Sequence, residues 1–247
     1  MKRIKLTLSY DGTEYNGWQI QTKPFGVKTI QGTLEDRLRR LTGEEIKVVA
    51  AGRTDAGVHA LGQVVHFDTG SSIPVDRYPM ALEGLLPQDI VPLKAELVDD
   101  TFHARYSAKG KTYQYTMDQG VSPHVFWRRF AYHYPFPLNL DAMKEAAKLL
   151  IGTHDFTSFC ASGSSVKDFT RTITSCLLWQ EGQFLHFQVS GNGFLYNMVR
   201  IMGGTLLEVG RGKIGPRQIT DIIKAKSRNA AGPTLPPQGL CLMKVDY

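Results

Sequence analysis

Cysteine is scarce in this chain of 247 residues: Cys160, Cys176 and Cys241. An odd, scattered set excludes a disulfide framework, and no pair has the spacing of zinc ligands. Thiols left reduced point to the cytoplasm. Long apolar runs are missing too, which argues against a membrane-spanning helix. The basic start Met1-Lys2-Arg3 leads into alternating residues instead of an apolar segment, so no signal peptide is expected. HExxH, CxxC, a Walker loop and a dinucleotide-binding glycine fingerprint in the right context are all absent. The chemistry is therefore expected to need neither metal nor cofactor. What the chain does have is an apolar content of 42% and a charged content of 21%, ordinary for a folded protein. Its length allows one large domain or two small ones with a real core. Lys and Arg exceed Asp and Glu by 29 − 23 = 6. That excess fits a polyanionic partner, although solubility alone accounts for it equally well.

Hydrophobic period gives the element order. Ile4, Leu6, Leu8 and Tyr10 alternate with polar residues as in a half-buried strand. Thr29 is placed to cap a helix with Ile30, Leu34, Leu38 and Leu41 on one face, and Gly43 stands just past its end. Arg37, Arg39 and Arg40 fall on the solvated side of that helix. Two short strands follow, one with Ile46, Val48 and Ala50, the other with Val65 and Phe67 alternating with Val64, His66 and Asp68. Pro74 opens a weaker helix with Tyr78, Leu82 and Leu85, and a strand covers Ala95 to Val98. Near Phe102 to Gly110 the pattern restarts. A strand carries Tyr113, Tyr115 and Met117, and Ser122 to Leu138 reads as an irregular insertion. Asn139 caps a helix stopped by Gly152, and His154 to Asp168 reads as a loop. Ile173, Ser175, Leu177 and Trp179 are expected on one face of a strand, which turns at Glu181-Gly182 into Phe184 to Ser190. A long helix takes in Leu195, Met198, Val199, Met202 and Leu206. The adjacent pair Gly203-Gly204 inside it is unusual and implies close packing there. A further helix with Ile219 and Ile222, a proline-rich loop from Pro233 to Gly239 and a strand from Leu240 to Val245 complete the chain.

With that further helix set aside, both halves read β-α-β-β-α-β. The expected fold is α+β, two ferredoxin-like units with boundaries at 1–105 and 106–247. Such units often join edges into one wide antiparallel sheet with helices on one face, leaving a central active-site cleft.

The stretch of greatest chemical interest is Ala51-Gly52-Arg53-Thr54-Asp55-Ala56-Gly57-Val58-His59-Ala60. Two glycines and three alanines keep it slim, and one carboxylate, Asp55, stands two residues from the Arg53 guanidinium. Room for a flat ligand beside an acid is one reading; an Asx-type turn, with Asp55 bonded to its own backbone, is the other. Tyr113 on a strand, and Tyr196 and Arg200 at i and i+4, are further candidates. An arginine can hold a carboxylate ionised and oriented, ready to act as nucleophile or base. A tyrosine can stack on a base or relay a proton. Taken singly, Tyr113 also reads as a core aromatic and Arg200 as a helix-surface cation.

The run from Ala51 to Ala60 resembles the signature of tRNA pseudouridine synthases of the TruA type. The same resemblance extends to Tyr10-Asp11-Gly12-Thr13 with Gly17-Trp18-Gln19, to Phe102-His103-Ala104-Arg105, and to Lys111-Thr112-Tyr113-Gln114-Tyr115. It includes Phe194-Leu195-Tyr196-Asn197-Met198-Val199-Arg200 and Pro236-Pro237-Gln238-Gly239-Leu240. It spans essentially the whole chain, with weaker matches at Ser122 to Leu138 and His154 to Asp168. The resemblance implies an isomerase, without cofactor, that converts uridine to pseudouridine at positions 38, 39 or 40 of the tRNA anticodon stem-loop. It makes Asp55 the nucleophile, attacking C1′ or C6, and Arg53 the residue that helps extrude the target nucleotide and fills its place. Tyr113 would stack on the uracil and assist proton removal from C5, Arg200 would pair with Asp55, and Leu242 would line the base pocket. It also implies a homodimer whose joint basic surface holds one tRNA. Two other classes compete. A non-catalytic RNA-binding protein predicts an aromatic RNP-type strand, which is missing, and gives Asp55 no purpose. A glycosidic hydrolase needs two cooperating carboxylates, and the nearby Asp11 and Asp68 lack a reactive context.

Overall fold

The computed structural model describes residues 1–21, 26–163 and 166–247. In chain order the elements are β1 (Lys2–Tyr10), α1 (Ile30–Thr42), β2 (Val49–Ala50), β3 (His59–Thr69), α2 (Tyr78–Glu83) and β4 (Ile90–Val98). They continue with β5 (Gly110–Asp118), β6 (Tyr132–His133), α3 (Leu140–Lys148), β7 (Gly152–Asp155), β8 (Thr170–Glu181), β9 (Phe184–Gly191), α4 (Met198–Gly210), α5 (Gln218–Ala225) and β10 (Leu240–Asp246). Among the described residues no helix is long and apolar enough to cross a membrane. The chain divides into two compact units. Met1–Lys109 and Cys241–Tyr247 form the first, and Gly110–Leu240 the second. The last strand, which the sequence reading placed in the second half, therefore belongs to the first unit from Cys241 onward.

In the first unit β1 lies between β4 and β3, antiparallel to both, and β2 pairs with β3. The alternation of β1 is as expected: Ile4, Leu6 and Leu8 are fully buried. Each such side chain removed from water contributes about 2 kcal/mol. Thr29 caps α1 by accepting from the Gly32 N–H, and Gly43 follows it with φ 75°, the left-handed conformation glycine adopts without strain. Arg37, Arg39 and Arg40 all pair with Asp36 on the outer side. Glu35 is the surprise. It is buried, accepts from Gln31 Nε2 and the Val48 N–H, and pairs with Lys47. Ile46 and Val48 are buried under this tie, while the ladder itself is only Val49–Ala50, shorter than the alternation suggested.

Elsewhere in this unit several expectations are corrected. β3 is covered on both faces: Val65 and Phe67 are buried, and so are Val64 and His66. Val64 packs with Ala51, Ala104, Phe102, Val245 and Tyr247, and His66 Nδ1 accepts the Ala104 N–H. The expected helix after Pro74 is α2 with Tyr78 and Leu82 buried, but Leu85 is exposed and Leu86 is buried in its place. β4 starts at Ile90, well before Ala95. Pro92 sits at a register shift opposite Leu8, a place where a missing N–H is tolerated.

In the second unit β9 lies between β5 and β8, β7 pairs with the other side of β8, and β6 pairs parallel with β5. Asn139 caps α3 as expected. The segment read as a loop from His154 to Asp168 in fact begins inside β7; its Ser164 and Ser165 lie outside the described residues. The insertion near Ser122 to Leu138 contributes the short β6. β8 departs most from the pattern. A bulge between Ile173 and Ser175 switches the faces, so Ile173, Cys176 and Leu178 are buried while Leu177 points out. One extra residue is enough, because side chains alternate with period two. α4 begins only at Met198, leaving Tyr196 before the helix and 48% exposed. The Gly203-Gly204 pair does mark close packing: a Cβ on Gly204 would sit 1.8 Å from the Pro233 carbonyl oxygen.

Candidate functional site

The segment 51–58 leaves β2 and returns as β3, and its backbone is tied down on every side. Ala51 N–H donates to Val64 O at 2.8 Å, and Gln63 Nε2 donates to Gly52 O at 2.8 Å. The tip is a turn closed by Val58 N–H to Asp55 O at 3.1 Å. Gly57 takes φ 75° as its third residue, where only glycine is unstrained.

The tip rests on the 11–18 segment. Trp18 N–H donates to Thr54 O at 3.0 Å and Gly57 N–H to Tyr15 O at 3.3 Å. Gly12 N–H donates to His59 Nδ1 at 3.0 Å. The approach is too close for a side chain: a Cβ on Gly12 would lie 2.0 Å from Val58 O, and one on Gly17 2.7 Å from Thr54 O. That segment is seated in turn on the start of α1, whose first N–H groups use the Gly17 and Trp18 carbonyls. Buried beneath the tip, the Tyr10 hydroxyl meets Thr54 Oγ1 at 2.8 Å and accepts from Gln63 Nε2 at 3.3 Å. Burial pushes the Tyr10 phenol well above its usual range, so it stays neutral. Tyr15 Oη donates to Asp89 Oδ1 at 2.5 Å and Lys28 lies 4.2 Å over its ring, which pins the far end.

Asp55 is thus half-buried on a hydrogen-bonded tip, between the buried Thr54 and the exposed Ala56, and Arg53, two positions earlier, is exposed. Leu242 is fully buried and pairs in parallel with Ala60, at the end of β3 where this tip is attached. The first unit therefore holds Arg53, Asp55 and Leu242.

The second unit holds Tyr113 and Arg200. Tyr113, on β5 opposite Val189, is 7% exposed, and the Phe194 ring meets it edge-on at 5.2 Å. Arg200 lies in the first turn of α4. Its Nε donates to Leu235 O at 2.7 Å and its Nη1 to Asn197 Oδ1 at 2.8 Å. Asn197 adopts φ 58°, a rare conformation for a residue with a side chain, and its carbonyl accepts from Ile201 N–H. Leu235 N–H donates back to Arg200 O at 3.2 Å, so the proline-rich run and α4 hold this arginine from two sides. The same run packs on β5: Tyr115 Oη donates to Pro236 O at 2.7 Å, and a Cβ on Gly239 would strike the Tyr115 ring at 2.6 Å. Sequence reasoning assigned no role to Tyr10, Gln63, Trp18 or Asn197. The glycines at 12 and 17 were the available signal for the first three.

Comparison with known proteins bears on the same residues. A family profile described as tRNA pseudouridine synthase matches residues 7–107 and 146–247. The matched ranges contain Arg53, Asp55, Arg200 and Leu242, while Tyr113 falls between them. A tRNA pseudouridine synthase A of Moorella thermoacetica is 52% identical over 247 residues, covering 100% of each chain. One of Bacillus subtilis is 51% identical over 247 residues, covering 99% of each. One of Halalkalibacterium halodurans is 52% identical over 241 residues, covering 97% of this chain and 90% of that one.

Proposed function

The chain belongs to the tRNA pseudouridine synthase family, and from that premise we propose which residues carry the reaction and where on tRNA it occurs. The protein is an isomerase that converts uridine to pseudouridine in tRNA. In our reading the substrate uridines are those at positions 38, 39 and 40 of the anticodon stem-loop. The bond from N1 to C1′ breaks, the uracil turns, a bond from C5 to C1′ forms, the C5 proton leaves to water, and N1 gains a proton in exchange. A stacked nucleoside cannot present those atoms to a side chain, so the nucleotide must be flipped out first.

Asp55 is the nucleophile, at C1′ or C6. The observation that carries this is the setting of its backbone. The flanking Thr54 and Gly57 are hydrogen-bonded to Trp18 and Tyr15, so the carboxylate is presented with little freedom to lose on reaction. Exposed Arg53 extrudes the nucleotide and fills its place, and Leu242 lines the base pocket. Tyr113 stacks on the uracil and its hydroxyl assists removal of the C5 proton. Arg200 is the cation that keeps the nucleophile ionised, and its hold on Asn197 and Leu235 supports a fixed orientation. The protein acts in the cytoplasm as a homodimer whose basic surface positions the tRNA by its phosphates. Each unit is a variant of the ferredoxin-like arrangement; the order β4-β1-β3 with β2 on β3, and β5-β9-β8, supports this.

The test is incubation with tRNA tritiated at uracil C5, followed by mapping of the modified positions. Tritium should be released from the anticodon stem-loop in the 3′ half; release from elsewhere, or none, defeats the assignment. In the same assay Tyr113→Phe keeps the stacking ring but lacks the hydroxyl, and should slow product formation on the order of a hundredfold. An unchanged rate would leave the hydroxyl without a role. Binding should also weaken steeply with salt. For about five phosphate contacts, affinity falls about a hundredfold or more between roughly 50 and 200 mM salt. A flat response would argue against phosphate-led binding.

A further inference from the structure

Two helices of the second unit open on asparagine, and the two side chains are employed differently. Asn139 has the extended backbone of an ordinary cap, and its Oδ1 accepts the Ala142 N–H at 3.0 Å. Asn197, before α4, is left-handed at φ 58° and ψ 8°, and its side chain makes no capping bond. Its Oδ1 accepts from Arg200 Nη1 at 2.8 Å instead. α4 therefore starts without a side-chain acceptor for its first N–H groups, on a backbone conformation that residues with a Cβ avoid. Stability is given up twice at one position. Departures of that kind gather where function demands them.

What the side chain does instead is hold a cation. Arginine carries donors only, so the amide turns its oxygen to it. Nε of the same guanidinium donates to Leu235 O at 2.7 Å. Acceptors at two nitrogens fix the plane of a rigid fork. Both acceptors are neutral. An amide and a peptide carbonyl orient the guanidinium without cancelling its charge, which stays available to a carboxylate. Position 197 thus meets three demands together: a left-handed backbone, an accepting oxygen and no negative charge. Glycine meets the first and third, aspartate the first and second, and asparagine all three. A purely structural contact at a helix start sets no such limit, because aspartate there suits the helix dipole at least as well.

We propose that Asn197 is a positioning residue for the reaction: it aims Arg200 and, being uncharged, leaves the guanidinium its full charge for the nucleophile. The proposal rests on the reading of Arg200 above and adds the residue that sets this arginine. Three variants of the full chain, assayed for pseudouridine formation on a tRNA transcript, test it. Asn197→Gly keeps the backbone and deletes the acceptor; kcat should fall about tenfold, with KM within about threefold. Asn197→Asp keeps shape and acceptor and adds a charge that competes for Arg200. Its kcat should fall about a hundredfold, although its melting temperature should equal or exceed that of the wild type. Arg200→Gln should be less active than either. Wild-type kcat in either Asn197 variant, or an effect on KM alone, would leave Asn197 a structural residue and overturn the proposal. So would a fall in kcat matched by a loss of folded protein, followed by circular dichroism at the assay temperature. Inactive Arg200→Gln beside fully active Asn197 variants sinks the role of Asn197 and leaves the reading of Arg200 standing. Active Arg200→Gln sinks both.

Discussion

Asp55→Ala is expected to abolish pseudouridine formation, by at least about a thousandfold, while tRNA affinity stays within about twofold. The separation follows from how the tip is held. Trp18 grips the carbonyl of residue 54 and Tyr15 the N–H of residue 57, and both are backbone contacts. Thr54 keeps its buried bond to Tyr10 whichever side chain stands at 55. Removing the carboxylate thus deletes the reacting group and leaves its platform intact. Affinity set by phosphates does not depend on an acid and should not fall with its loss. Asp55→Asn, equal in size and uncharged, should be as inactive, which separates lost chemistry from lost shape. Tritium release and filter binding on the same preparations decide the matter. Turnover near wild type in either variant would remove Asp55 from the centre of the reaction.

Gly204→Ala should destabilise the protein by about 3 kcal/mol or more, because overpacking against rigid backbone cannot be relieved by a rotamer change. For a chain of this size that lowers the melting temperature by roughly 10 °C. The added Cβ would lie 1.8 Å from the Pro233 carbonyl oxygen. Gly203→Ala offers the contrast within one helical turn. Its Cβ would meet Leu235 Cδ1 at 2.9 Å, the end of a side chain that can move, so the cost should be nearer 1 kcal/mol. Activity should follow stability at position 204. The displaced run carries the Leu235 carbonyl that orients the Arg200 guanidinium. Thermal melts of the two variants test this, and equal melting temperatures for Gly204→Ala and wild type would refute it.

Much of the architecture was readable because local signals and burial agree. β1 alternates and buries what its alternation marks, and α1 is bracketed by a threonine cap and a glycine stop. Errors arose where a long-range partner overrides the local pattern. Val64 and His66 look like the wet side of a strand, yet Ala104 and its neighbours cover them. Pro92 discourages a strand, but an edge position with a register shift accommodates it. In β8 a period of two fits either face equally well, and only the bulge near Ser175 decides. Leu195 falls on the helical stripe with Met198, Val199 and Met202, yet α4 waits for Asn197 in its left-handed conformation. At the candidate site the loop that carries Asp55 was visible from its small residues. Its supports were not, since Tyr10 and Trp18 reach Thr54 from 44 and 36 positions away in the chain.

The membership of Cys241–Tyr247 in the first unit has a consequence for biosynthesis. The residues that adjoin His59 and Ala60, and the Tyr247 hydroxyl that bonds the Ala104 carbonyl, emerge from the ribosome only after all of Gly110–Leu240 has been made. At roughly 5–20 residues per second that interval is on the order of ten seconds. During it the nascent first unit has an unpaired edge beside β3 and an uncovered cluster around Val64. The second unit, continuous in sequence, can mature without waiting. Ribosome-bound intermediates should therefore expose the early part of the chain to proteases and chaperones for longer than the part made after it.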